Sequence, residues 1–137
     1  MASNQTLKEA LRIAELGYRV LPCNQEKKPT VKGWPEAATS DPQQIKDWFA
    51  NGDYLLAVLT GPANNLFVVD VDPDGMSWLA ENENRMLCER VHSTTRGKHF
   101  LYRFSEALRH VNTHTASKIA PGVDTRGKGG CLMWWPA

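Results

Sequence analysis

Residues 66–75, LFVVDVDPDG, run four apolar side chains straight into three aspartates spaced two apart, Asp70, Asp72 and Asp74. A short run this apolar and β-branched reads as a buried strand. An unpaired carboxylate in a buried strand is costly, so the acids need a reason to be there. Side chains alternate faces along a strand, which puts Asp70 and Asp72 on one face and Val71 on the other. Two neighbouring carboxylates repel unless a cation lies between them. Hard divalent ions such as Mg²⁺ and Mn²⁺ take such oxygen ligands. The competing reading is an acidic turn, because Asp-Pro-Asp-Gly is good turn chemistry and accounts for Pro73, Asp74 and Gly75. That reading leaves Asp70 unexplained, since Val71 continues the strand beyond it.

The rest of the chain predicts a mixed α+β pattern. Thr6 and Glu9 fit a capping box, and Leu7, Ala10, Leu11 and Ala14 keep helical spacing, so a helix is expected over 7–16 with Gly17 as its stop. YRVLPC (18–23) reads as a strand, and the polar, proline-containing stretch after it as a loop. Ser40-Asp41-Pro42 starts a second helix that buries Ile45, Trp48 and Phe49 and runs to about Ala50. Strands are expected at 55–60 and 66–72, joined as a hairpin, with a helix from Ser77 to Cys88. Further strands follow at 91–95, 99–104 and 131–136. Strands adjacent in sequence favour a largely antiparallel or mixed sheet with helices on one face.

A chain of 137 residues predicts one domain with its own core. The formal net charge of +1 neither announces a nucleic-acid binder nor excludes one. Cys23, Cys88 and Cys131 form no CxxC pair, which argues against a disulfide framework or a zinc knuckle and for reduced thiols. No apolar run approaches the ~18 residues of a membrane span, and the N-terminus lacks the layout of a secretion signal. A cytoplasmic protein without a membrane partner is expected.

Two further clusters carry chemistry. In STTRGKHFLYRF, His99 opens a strand directly after Arg96-Gly97-Lys98. Glycine permits close backbone approach to a ligand, Arg and Lys supply phosphate donors, and histidine can bond a phosphate oxygen or a metal. The alternative is a basic hairpin loop with a histidine capping the strand. In GVDTRGKGG, Asp124 precedes Arg126 and Lys128 in a glycine loop, again readable as an ordinary turn. Together, Asp70, Asp72, Asp124, His99, Arg96, Lys98, Arg126 and Lys128 provide oxygen ligands for two hard cations and basic groups for a polyphosphate. Two-metal phosphoryl or nucleotidyl transfer requires that combination.

A strand ending in Asp-x-Asp, then Thr-x-Gly-x-His, then Gly-Val-Asp-x-Arg-Gly-x-Gly-Gly resembles the archaeo-eukaryotic primase superfamily. More narrowly, the order resembles the bifunctional DNA primase/polymerase (prim-pol) domain of plasmids, phages and mobile elements. "GYRVLP", "KKPTVKGW", "AAT" and the "LTG" before the acidic strand agree with it, so the resemblance spans nearly the whole chain. It implies an RRM-like sheet that carries the site, beside a smaller N-terminal α/β unit. It implies that Asp70, Asp72 and Asp124 hold two Mg²⁺ or Mn²⁺ ions, that His99 contacts the phosphates of the incoming nucleotide, and that Arg126 lies near the triphosphate. The second motif departs from the family's Gly-Gly-x-His, with Arg96 and Lys98 around Gly97. In the family the sheet continues past the position of Trp135-Pro136-Ala137, and a helical region and a helicase domain often follow. Residues 1–137 therefore read as one prim-pol core, cut short at its C-terminal end.

The implied function is template-directed addition of dNTP or NTP to a DNA primer, with the two ions about 3.5–4 Å apart. A nucleotide- or nucleic-acid-binding module that has lost synthesis through truncation would keep the same residues. A rolling-circle initiator would want a His-x-His pair; His110 and His114 are four apart and read as exposed loop histidines. Lys27, Lys28 and Lys32 form either a solvated loop or a nucleic-acid contact. Trp34 is expected to pack.

Overall fold

The computed structural model describes residues 3–50, 52–86, 88, 90–94, 97–105 and 120–134, with side chains from residue 5 onward. In chain order the elements are α1 (Ser3–Glu15), β1 (Val20–Cys23), α2 (Trp34–Ala37), α3 (Pro42–Phe49), β2 (Leu55–Leu59) and β3 (Leu66–Val71). There follow a 3₁₀ turn (Pro73–Gly75), α4 (Met76–Asn82), a second 3₁₀ turn (Glu83–Arg85), β4 (Arg90–Ser93), β5 (Lys98–Arg103), β6 (Val123–Arg126) and β7 (Cys131–Trp134). The fold is α+β with two antiparallel sheets, as expected of a mixed α+β chain. The chain divides into two compact units, Met1–Leu59 with Cys131–Ala137, and Thr60–Gly130.

The first unit holds the sheet β1-β2-β7. Helix α1 buries Thr6, Ala10, Ile13 and Ala14, a stripe at helical spacing. It ends as expected at Gly17, whose φ of 99° lets Gly17 N–H donate to Ala14 and Tyr18 N–H donate to Ile13. Its start differs from the expected capping box. The helix begins at Ser3, so Thr6 lies inside it and is buried. The Glu9 carboxylate instead accepts from Arg12 at 2.7 and 2.8 Å and from Trp134 Nε1 at 2.9 Å. Asp41 caps α3 through Oδ2, which accepts from Gln44 N–H at 3.1 Å, and Pro42 follows in the first turn. Leu21, Cys23, Ala38, Ala57 and Leu59 make a core on one face of the sheet, with Trp34 packed against them. Lys27, Lys28 and Lys32 are exposed.

The second unit holds the sheet β4-β5-β3-β6. Its first strand, β3, is central, flanked by the unit's third and fourth strands, with the second on the outer edge; RRM-type sheets have this order. Phe67, Val69, Val71, Phe100 and Val123 form a core on one face together with Leu79 of α4. The expected hairpin between 55–60 and 66–72 does not form. β2 pairs with β1 and β7, whereas β3 pairs with β5 and β6. Longer-range partners take both strands, and only a bridge between Gly61 and Leu66 marks the turn. The helix expected to reach Cys88 ends at Asn82 and passes into the second 3₁₀ turn. Thr95, Arg96, His110, His114, Trp135 and Pro136 lie outside the described residues.

Candidate active site

The register of the second sheet sets one polar row across all four strands. Asp70 on β3 lies opposite His99 on β5 and opposite Asp124 on β6, and His99 lies opposite His92 on β4. Directly opposed residues of antiparallel strands share a face, so His92, His99, Asp70 and Asp124 line up on the face away from the Phe67–Val69–Phe100 core. Arg126, two residues after Asp124, stands on the same face opposite Val68. Asp70 is the one residue of β3 that is not buried.

Asp70 is the hub of this row. His99 Nε2 is 3.3 Å from Asp70 Oδ1, and Arg126 Nη2 is 3.5 Å from Asp70 Oδ2. The side chains of Asp70, His99 and Arg126 are 24%, 15% and 21% exposed. They are partly sheltered, yet open to a ligand.

Asp72 sits just past the end of β3, and its position serves the turn reading. Its Oδ1 accepts from Asp74 N–H at 3.0 Å and caps the 3₁₀ turn Pro73–Gly75. Its backbone N–H donates to Gly122 O at 2.9 Å, and a Cβ on Gly122 (φ 76°) would run into Asp72 Oδ1. Asp72 is thereby fastened to the chain that leads into β6 and Asp124.

The glycine and the basic residues around His99 part company. A Cβ at Gly97 would overlap the carbonyl oxygen of Val71, so this glycine serves the approach of two strands. Lys98 alternates with His99, faces the other side of the sheet, and places Nζ 3.5 Å from Glu83 Oε2. Lys128 is exposed in the glycine loop after Arg126. That loop is held by the buried Thr60, whose hydroxyl donates to Gly127 O at 2.6 Å and whose N–H donates to Gly130 O at 3.0 Å.

Sequence reasoning passed over His92. Its signal was hairpin arithmetic: pairing Ser93 with Lys98 places His92 opposite His99. Burial holds the His92 imidazole below the ordinary histidine value, and the charges of Arg90 and His99 push it the same way.

Among the described residues, no group of three or more His, Cys, Asp or Glu side chains is gathered as a metal-binding cluster. The facing carboxylates of Asp70 and Asp124 nonetheless have the donor chemistry of a hard divalent cation site.

An RRM-type sheet bearing facing carboxylates, a histidine and an arginine is an arrangement suited to phosphate chemistry. The family model of the bifunctional DNA primase/polymerase N-terminal domain, Prim-Pol, matches residues 10–137, and the chain belongs to this family. No curated protein matches the chain. The family implies a primase/polymerase activity, that is nucleotidyl transfer with DNA and nucleotides as substrates. Among the described residues, no helix is long and apolar enough to cross a membrane.

Proposed function

We propose that residues 1–137 work as one catalytic core that adds nucleotides to a DNA primer, and that the Asp70–Asp124 pair is its metal-binding centre. The observation that supports this most is the direct opposition of Asp70 and Asp124, with His99 and Arg126 both directed at Asp70. Like charges set directly opposite repel, and a divalent cation between them would answer both carboxylates at once. Asp70 and Asp124 would hold Mg²⁺ or Mn²⁺, with Asp72 joining by giving up its turn hydrogen bond. Bound divalent ions supply a more acidic primer hydroxyl and charge stabilisation of the leaving pyrophosphate. His99 and Arg126 answer the charge of Asp70. With a cation held at Asp70, His99 and Arg126 would be placed to donate to phosphate oxygens. Lys98, turned to the other face and paired with Glu83, would act on the shape of β5 rather than on the nucleotide. Plasmid, phage or mobile-element replication, with a helicase partner, is the setting we assign to this activity.

A second reading has its own support. Asp72 is engaged in the turn, which suits a nucleotide-binding module without synthesis. Calorimetric titration of dNTP and NTP, with and without Mn²⁺, beside an Asp70→Ala/Asp72→Ala variant, tests the site. Metal-dependent binding that the variant loses, followed by primer extension, supports the polymerase. The same binding without extension supports the module. Equal binding by the variant overturns both.

A further inference from the structure

The polar row does not stop at His99. It continues to His92 on β4, and the next residue of β4 on the same face is Arg90. From β6 to β4 the row therefore runs Asp124, Asp70, His99, His92, from anionic to basic, with Arg90 beside its basic end. β4 is an edge strand, and its other residues are exposed, whereas His92 is half-buried against His99. Two imidazoles side by side repel whenever both are charged, and an anion bound along the row would answer that repulsion. A ligand lying along the row gives the arrangement a purpose.

We propose that His92, with Arg90 beside it, contacts the terminal phosphate of a bound nucleoside triphosphate. The inference rests on the nucleotide site proposed above. Adjacent strands are about 4.8 Å apart, so His92 lies roughly 10 Å along the sheet from Asp70. A nucleotide whose inner phosphates sit at the carboxylate end would extend its tail toward His92. Neutral imidazole offers one N–H donor there, and Arg90 adds charge from the exposed edge.

The test compares dATP with dADP by calorimetry in the presence of Mn²⁺, for the unmodified chain, His92→Ala, His92→Asn and Arg90→Ala. Loss of one phosphate hydrogen bond should weaken dATP binding by roughly tenfold in His92→Ala while leaving dADP unchanged. His92→Asn, which keeps a donor, should recover part of the loss, and Arg90→Ala should show a smaller loss of the same kind. In primer extension, the KM for dNTP should rise more than kcat falls. If dATP and dADP weaken equally, or neither weakens, the proposal is overturned. If nucleotide binding disappears in Asp70→Ala but ignores His92, only this inference fails. If the unmodified chain binds no nucleotide, the site reading fails with it. Should His92→Ala not fold, the Asn and Arg90 variants carry the same comparison.

Discussion

Asp70 and Asp124 stand directly opposite each other across the β3–β6 ladder. Opposed like charges in a sheet cost up to about 1 kcal/mol, and His99 and Arg126 beside Asp70 offset part of that. Asp124→Asn should change stability in urea, without metal or nucleotide, by no more than about 1 kcal/mol. The same change should abolish Mn²⁺-dependent nucleotide binding. A variant that loses stability and keeps nucleotide binding would remove Asp124 from the site.

Gly97 lies where β5 begins, and any Cβ there meets the carbonyl oxygen of Val71. Backbone cannot yield as a side-chain tip can. Gly97→Ala should therefore destabilise the chain by about 1–3 kcal/mol and disturb His99, two residues on. Chemical denaturation reads the first effect, and nucleotide affinity reads the second. A fully stable Gly97→Ala chain would mean that the strands separate at that point without penalty.

Thr60 offers a cleaner test of the loop that follows Arg126. Thr60→Val keeps the shape and removes the hydroxyl that donates to Gly127 O. Gly127 O keeps the Gly130 N–H at 3.3 Å, so losing the hydroxyl should lower stability by about 0.5–1.5 kcal/mol, while Thr60→Ser should recover most of it. Equal unfolding midpoints for the Val and Ser variants would show that the hydroxyl is dispensable.

The folded-state value of His92 is lowered from the ordinary 6.5 by burial, then by Arg90 and His99. As pH falls below about 6.5, the unfolded chain takes up a proton at this histidine that the folded chain resists. Stability contributed by the neutral imidazole should thus be present above that pH and decline as pH drops toward the folded-state value. Thermal unfolding without metal or nucleotide should show a steeper acid decline for the unmodified chain than for His92→Gln. Parallel curves would assign the acid sensitivity to other groups.

The part of the structure most legible in the sequence was set by local chemistry. Gly17 stops α1 and Asp41 starts α3, because cap residues act on backbone groups within a few positions. The strand 66–71 was visible in its apolar run, and Asp70 was visible as its exception. What escaped depended on partners distant in sequence. Thr6 and Glu9 match a capping box, but Glu9 finds Trp134, which no local pattern reveals. The segments 55–59 and 66–71 look like a hairpin until each finds other strands. His92 carries no motif of its own and gains meaning only from the strand opposite. The nearness of Asp124 to Asp70 followed from the family resemblance, since spacing alone does not join residues so far apart.

β2 is the middle strand of the first sheet, and its second neighbour, β7, lies on the far side of the whole Thr60–Gly130 unit in the chain. During synthesis, β1 and β2 can pair early, but one edge of β2 waits for Cys131–Trp134 to leave the ribosome. Until then its backbone groups are an open template for any passing strand. The inserted unit, whose own four strands all emerge before β7, can close first. Slow steps and aggregation during refolding should therefore originate in the α1–β2 segment, and a fragment ending at Gly130 should be far stickier than the four residues of β7 would suggest.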